Sequence, residues 1–307
     1  MAIIKIMEGE KMNNRFILFL FSLFLLIGTS ASVNATIVTY TDFSDLSGFT
    51  LNGVTNTLNT GGTGVTAADG SKVLRLTNDY SQSGSAFLTN SILLEDNNGF
   101  QASFSTAFDF QISNPLSGGA DGIVFVVQTE ANTAGGGGGG IGYIGIDNSV
   151  GIEFDNWYNG AQDGVYDIST NHVGINLNGS VNSVIDENVS PDFDNGGIWH
   201  AWVDYNGASD LLEVRLSTVA TRPTSALLSY TVDLVSVLGQ SSAFIGFTSG
   251  TASAAAYHDI RAWQFTNTLN PIDDIIDPPV TVPVPGTLLL LGSGLLGIAS
   301  INRRRKQ

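Results

Sequence analysis

Of the 307 residues, 28 are acidic, 12 are basic and none is cysteine. The lack of cysteine excludes disulfides, thiolate zinc sites and a cysteine nucleophile. Residues 36–286 hold 26 acidic side chains against five basic ones (Lys72, Arg75, Arg215, Arg222 and Arg261), which argues against nucleic acid or anionic lipid as partner and favours metal cations or neutral molecules.

Residues 1–35 carry Lys5, Lys11 and Arg15, then FILFLFSLFLLIG, then a small and polar stretch ending in SVNA. That order reads as a secretory signal peptide cut after Ala35. Met12 opens a complete signal by itself, and an uncleaved membrane anchor is the alternative reading. Residues 36–270 follow as one body, long enough to bury a sizeable core as a single domain.

Helix-period patterning is nearly absent from this body. Strand candidates recur between Gly, Asn, Asp and Ser turns: SKVLRLTN, GSAFLTNSI, FQASFSTAFDFQI, DGIVFVVQ, VGIEFDNW, HVGINLNG, WHAWVDYN, LLEVRLS, LLSYTVDL, AFIGFTSG and IRAWQFT. Short strands in such a rhythm predict an all-β sandwich or barrel. In the third, Phe100, Ala102, Phe104, Thr106, Phe108 and Phe110 share one side. Trp199 and Trp202 fall on opposite faces of one strand, which predicts one in the core and one covering an edge. The six glycines 135–140 read, from composition alone, as a flexible link.

GIEFDNWYNG, residues 151–160, holds the densest chemistry. Glu153, Asp155, Trp157 and Asn159 occupy alternate positions and so would share one strand face. Two carboxylates ~7 Å apart along a strand repel unless a positive charge lies between them. Asp163, Asp167 and His172 follow closely. Calcium takes six to eight oxygen ligands, and transition ions also accept imidazole, so the set suits a divalent cation.

Beyond 270 comes a linker, 271–286, containing Pro283-Val284-Pro285, then an apolar segment, 287–302, and a basic tail, 303–307. The apolar run from Thr287 to Ile301 is shorter than the ~20 residues of a comfortable membrane-spanning helix. Arg303 to Lys306 favour a cytoplasmic end.

In order and spacing, VLRLTNDYSQSGSAFLT, FSTAFDFQI, ADGIVFVVQ, the glycine run, VGIEFDNWYN, HVGINLNGS, WHAWVDYNGASDLLEVRLS and FIGFTSGTASAAAYHDIRAWQFT resemble the legume-type lectin domain across 36–270. The resemblance implies a jelly-roll sandwich of two large antiparallel sheets that binds a glycan. It further implies a transition ion, usually Mn2+, held by Glu153, Asp155, Asp167 and His172. An adjacent Ca2+ would share Asp155 and Asp167 and add the Trp157 carbonyl and the Asn159 amide oxygen. Asp167 has the family's spacing to His172; Asp163 competes for its place. For the sugar, the resemblance implies Asp121 after a cis Ala120–Asp121 bond, the Asn159 amide, a stacking Trp157 ring and a backbone N–H of Gly139 or Gly140. Specificity would lie in the loop 250–258, where Tyr257 is the bulky member. VPVPGTLLLLGSGLLG with its basic tail resembles PEP-CTERM sorting signals, although Pro-Val-Pro stands where the motif reads Pro-Glu-Pro. That implies a sorting protease of the exosortase type as partner and transient anchoring at the membrane.

Two rival readings remain. Laminarinase-type glycoside hydrolases share the sandwich and carry E-x-D-x-E or E-x-D-x-x-E, but Trp157 and Tyr158 occupy the second glutamate's positions, leaving no acid/base partner. The other is a matrix or adhesion protein that keeps the fold without sugar affinity; Asp121 and Asn159 would then have no task. The sequence therefore reads as an exported, calcium-dependent, non-enzymatic lectin for neutral exopolysaccharide at the cell surface.

Overall fold

The computed structural model describes residues 35–94, 102–135, 140–160 and 165–275. The segment before Ala35, the Pro-Val-Pro motif, the apolar segment and the basic tail lie outside these residues. No helix among the described residues is long and apolar enough to cross a membrane.

Among the described residues, sixteen strands form two antiparallel sheets. The first runs β14 (Leu228–Thr231), β13 (Leu211–Ser217), β12 (Ile198–Asn206), β7 (Phe104–Leu116), β16 (Ala255–Thr266), β4 (Lys72–Thr77) and β3 (Val65–Thr66), with β1 (Ile37–Tyr40) also on β16. The second runs β11 (Ile185–Asn188), β10 (His172–Leu177), β9 (Ser149–Asp155), β8 (Gly122–Gln128), β15 (Ser242–Gly250), β5 (Ser83–Leu88) and β2 (Phe49–Gly53), with β6 (Ile92–Leu93) also on β15. The chain crosses between sheets repeatedly, as a jelly roll does.

Alternation decides which side chains meet between the sheets. Phe104, Phe108 and Phe110 of β7 face Phe125 of β8, Phe154 of β9 and Phe247 of β15. Ring centroids lie 5.1 Å apart for Phe108 and Phe247 and 4.8 Å for Phe110 and Phe154, and each such pair adds ~0.5–1.5 kcal/mol beyond area burial. Of the two core indoles, Trp263 donates its Nε1 to Thr106 Oγ1 at 2.9 Å, whereas the Nε1 of Trp199 meets no partner. Phe100 lies outside the described residues.

Three elements differ from the expectation. The stretch LLSYTVDL is a strand only to Thr231, and a one-turn helix, Leu234–Leu238, follows it, capped by Asp233. Trp199 packs edge-on against Phe193 in the main core, but Trp202 covers no edge. It lies on the outer face of the first sheet beside Ala107, beneath Ile272 and Ile275 of the chain that follows β16. The loop expected over 250–258 is shorter, because β16 already begins at Ala255.

Candidate functional site

The site grows from the place where β8 begins and β9 ends. On β9, Val150, Ile152 and Phe154 enter the core between the sheets, which turns Glu153 and Asp155 to the opposite, outer face. Asp155 lies in register between Gly122 of β8 and His172 of β10, and Glu153 lies opposite Gly174. A Cβ at Gly174 would strike Glu153 Oε1 and Ser183 Oγ, so glycine there is what admits the carboxylate.

Glu153 is 2 % exposed and fully engaged: Asn176 Nδ2 donates to Oε2 at 2.5 Å, Ser183 Oγ donates to Oε1 at 2.6 Å, and His172 Nε2 lies 3.3 Å from Oε1. Asp155, 3 % exposed, accepts the Trp157 N–H at 2.7 Å. Asp167 accepts the Asn159 N–H at 2.6 Å, so the loop after β9 folds back over the acidic cluster. One ligand atom from each of Asp155, Asp167 and His172 lies within 4.8 Å of the other two. All three belong to the set that the family resemblance implied, Asp167 there with Asp163 as its competitor.

The charges crowd one another. Burial pushes the Asp155 carboxyl well above the carboxylate range, and Glu153, Asp167 and Asp121 push it further. Asp167 is raised by burial against the pull of the Asn159 N–H and His172. Burial would depress His172, but the hydrogen bond it donates to Glu153 and the surrounding carboxylates hold it above its ordinary value.

No lysine or arginine among the described residues answers these charges. Arg75 clamps Asp259 at 2.7 and 2.8 Å, Arg215 and Arg222 both hold Asp204, Arg261 holds Asp69, and Lys72 donates to the Gly64 carbonyl. Those five are all the lysines and arginines between residues 36 and 286. An oxygen-rich set with one imidazole and no lysine or arginine beside it fits a hard or borderline divalent cation.

Asp121 completes the site. The Ala120–Asp121 bond is cis, as the family resemblance implied. The Asp121 N–H donates to the Gly250 carbonyl at 3.2 Å, and its own carbonyl accepts the Asn156 N–H at 3.1 Å, so β8, β9 and β15 are tied together here. Its carboxyl is buried, Oδ2 meets no partner, and burial plus the Asp167 charge push it up to about 7.

The glycine run leads into a lid on the outer face of the second sheet. Ile141, Tyr143 and Ile146 pack there on Val124, Val126 and Phe87. Gly140 has φ 98°, and its carbonyl accepts the Tyr143 N–H at 3.0 Å. A Cβ at Gly140 would lie 2.8 Å from Ile144. Gly139 and Asp163 lie outside the described residues.

Tyr257 stands apart. It sits on β16, in the first sheet, opposite Ser113, with the Arg75 guanidinium 4.1 Å above its ring. The loop left between β15 and β16 is Thr251 to Ala254. Asn156 was missed by sequence reasoning. Its alternation pointed to the core, but β9 ends at Asp155, and the Asn156 side chain is released from the strand's alternation.

A two-sheet jelly roll with an acidic cluster at the β8–β9 mouth defines a lectin-type sandwich. A model of the legume lectin domain matches residues 40–280, and a PEP-CTERM protein-sorting motif matches 281–306. The chain belongs to the legume lectin family. A seed lectin of Styphnolobium japonicum is 35 % identical over 181 residues, covering 55 % of this chain and 58 % of that protein. An L-type lectin-domain containing receptor kinase of Arabidopsis thaliana is 33 % identical over 176 residues, covering 55 % of this chain but 24 % of the kinase. The match thus spans less than two thirds of either relative. Among solved structures, basic winged bean lectin with Tn-antigen superposes with a TM-score of 0.61 at 25 % identity, covering 76 % of this chain and 98 % of that one. Winged bean acidic lectin with methyl-α-D-galactose superposes at 0.62 and 24 % identity, covering 76 % and 98 %.

Proposed function

We propose that the protein is a calcium-dependent, non-catalytic lectin that is exported and presents its sugar site at the cell surface. The observation that carries this reading is the buried Asp155, surrounded by the carboxylates of Glu153, Asp167 and Asp121 with no lysine or arginine to neutralise them. A divalent cation supplies that counter-charge and, when bound, fixes the loop 156–160.

Asp155 and Asp167 would hold calcium together with the Asn159 amide oxygen and the Trp157 carbonyl. His172, with Glu153 beside it, would hold a transition ion such as Mn2+. The chain's own residues do the rest. Asp121 accepts sugar hydroxyls with the Oδ2 that no protein group uses. Asn159, its oxygen turned to the metal, donates its amide hydrogens, and the half-buried Trp157 ring offers an apolar plane. Gly140 brings backbone close to the sugar without a Cβ. Two carboxylates set for acid/base cleavage of a glycoside are not what this cluster offers, since Glu153 is consumed by Asn176, Ser183 and His172.

The sorting motif at 281–306 supports export and processing by an exosortase-type protease, and the surface polysaccharide of the producing cell is the partner this placement favours. Glycan-array and polysaccharide pull-down binding, with calcium and again after EDTA treatment, tests the reading. Binding that appears with calcium and disappears with EDTA supports it. A chain that binds no glycan yet melts lower after EDTA treatment is a metal-stabilised scaffold instead.

A further inference from the structure

Where glycine follows asparagine, no Cβ keeps the glycine backbone nitrogen from the asparagine's side-chain carboxamide. Five such pairs lie among the described residues: Asn52–Gly53, Asn159–Gly160, Asn178–Gly179, Asn195–Gly196 and Asn206–Gly207. We infer that one of them, Asn159–Gly160, is a self-modification site at which Gly160 N attacks the Asn159 carboxamide of the folded protein and converts it to aspartate and isoaspartate.

The other four pairs are restrained. Gly179 N–H donates to Tyr143 Oη and Ser149 Oγ at 3.3 and 3.2 Å, Gly196 N–H to the Ile112 carbonyl at 3.2 Å, and Gly207 N–H to Ser103 Oγ at 3.1 Å. At Asn52 the carboxamide itself is tied, its Nδ2 donating to Ser85 Oγ at 3.0 Å and to the Asn132 carbonyl at 2.9 Å. At 159–160 neither the carboxamide nor the Gly160 N–H meets a partner among the described residues. The one tie is the Asn159 N–H, which Asp167 takes at 2.6 Å and which plays no part in the attack. Both residues are half-buried rather than sealed, so solvent reaches them. Gly160 holds φ 61°, a conformation that residues with a Cβ rarely adopt, so the turn itself keeps glycine at the attacking position.

The chemistry balances with water alone. Hydroxide takes the Gly160 amide proton, the nitrogen attacks Asn159 Cγ, the Cγ–Nδ2 bond breaks, and ammonia leaves with a proton from water, which restores the hydroxide. Water then opens the cyclic imide at either carbonyl. Breaking the new Cγ–N bond gives aspartate; breaking the original peptide bond gives isoaspartate. Nothing is oxidised or reduced.

Position gives the reaction its consequence. In the proposed function the Asn159 carboxamide turns its oxygen to calcium and its hydrogens to the sugar. An aspartate there keeps an oxygen for the cation and loses both N–H donors. The molecule would hold its metal and let go of its glycan, irreversibly. That consequence rests on the sugar-binding reading; the modification site does not.

Peptide mapping by mass spectrometry tests the site. Full-length, EDTA-treated protein is held folded in mildly alkaline buffer, with a second sample in urea, and the exchange of NH2 for OH is followed at all five asparagines. A held pair must first give up a hydrogen bond, and ~1.4 kcal/mol is about tenfold in rate. Asn159 should therefore convert about tenfold faster than each of the other four in the folded protein, and at a comparable rate in urea. Asn159→Asp, which carries the product, should keep the calcium-induced melting shift and lose glycan binding. Conversion of Asn159 no faster than that of the four held pairs overturns the site. An Asn159→Asp protein that binds glycan as the parent does overturns the switching consequence. A parent that binds no glycan, with Asn159 still converting first, sinks the sugar reading and supports the site.

Discussion

Replacing Asp155 by asparagine should stabilise the metal-free protein and remove most of its further stabilisation by calcium. Asparagine keeps the acceptor for the Trp157 N–H, and so preserves the start of the loop, but it removes a buried carboxyl that the metal-free fold must either hold charged among three other carboxylates or protonate at a cost. An uncompensated buried charge is worth ~3–5 kcal/mol of destabilisation. With part of that relaxed by the exposure of Asp167, a gain of about 2 kcal/mol in EDTA is expected. For a domain of this size that is about 4–8 °C in melting temperature. Calcium at 100 times its Kd should stabilise the parent by ~2.7 kcal/mol, or about 5–11 °C, through binding only the folded state. The variant, lacking the shared ligand, should shift by less than about 2 °C. Differential scanning calorimetry of both proteins, in EDTA and in saturating calcium, gives the four melting temperatures. The variant's lead of about 4–8 °C in EDTA should close almost entirely in saturating calcium. A variant that melts below the parent in EDTA, or that keeps the parent's full calcium shift, would refute the argument that the cluster is held together by a cation.

Asp121→Ala should abolish glycan binding while the calcium-induced melting shift stays, because the proposed site turns the unpartnered Asp121 Oδ2 to the sugar while its backbone ties the loops; equal affinity in variant and parent removes the assignment. His258 is buried with Thr77 Oγ1 2.8 Å from its Nδ1, and burial pushes it down to about 3. The unfolded chain takes up that proton below about pH 6.5, so stability should be full above 6.5 and fall toward pH 3 by up to ~1.4 kcal/mol per unit. Urea titrations of the parent and of His258→Gln across this window should diverge as pH drops, and parallel curves would contradict the assignment. Ile272→Ala should lower stability by about 2–3 kcal/mol and red-shift tryptophan emission, since Ile272 covers Trp202; a loss under about 0.5 kcal/mol would mean that the segment does not dock in solution.

The site could be read from the chain because its logic is local. Glu153, Asp155, Trp157 and Asn159 are spaced by the strand period, and β9 places the first two on one outer face as that period requires. Asp167 and His172 follow within twenty residues, and the return of the loop onto Asp155 needs only short-range hydrogen bonds. What escaped depends on distant partners. The start of β16 looks like a loop of alanines, yet Ala255 and Ala256 are wholly buried because β7 supplies the bulk opposite them. Tyr257 was placed with the sugar because nothing in its neighbourhood reveals Arg75, which also grips Asp259 across 184 residues of sequence. β11 is four residues of polar edge strand, IDEN, with no apolar alternation to announce it. Trp202 was read as an edge cover, since its cover, Ile272, is seventy residues away.

That docked segment has a geometric consequence. Ala107 and Trp202 lie on the outside of one sheet, whereas Glu153 and Asp155 lie on the outside of the other. The described chain thus departs at Ile275 from the back of the molecule, and the sorting motif begins at residue 281. The few residues between can span ~18 Å at full stretch. Under the proposed surface display, a molecule held by that motif would be moored on a short leash by its rear wall, with the acidic mouth on the other sheet left free for polymer around the cell.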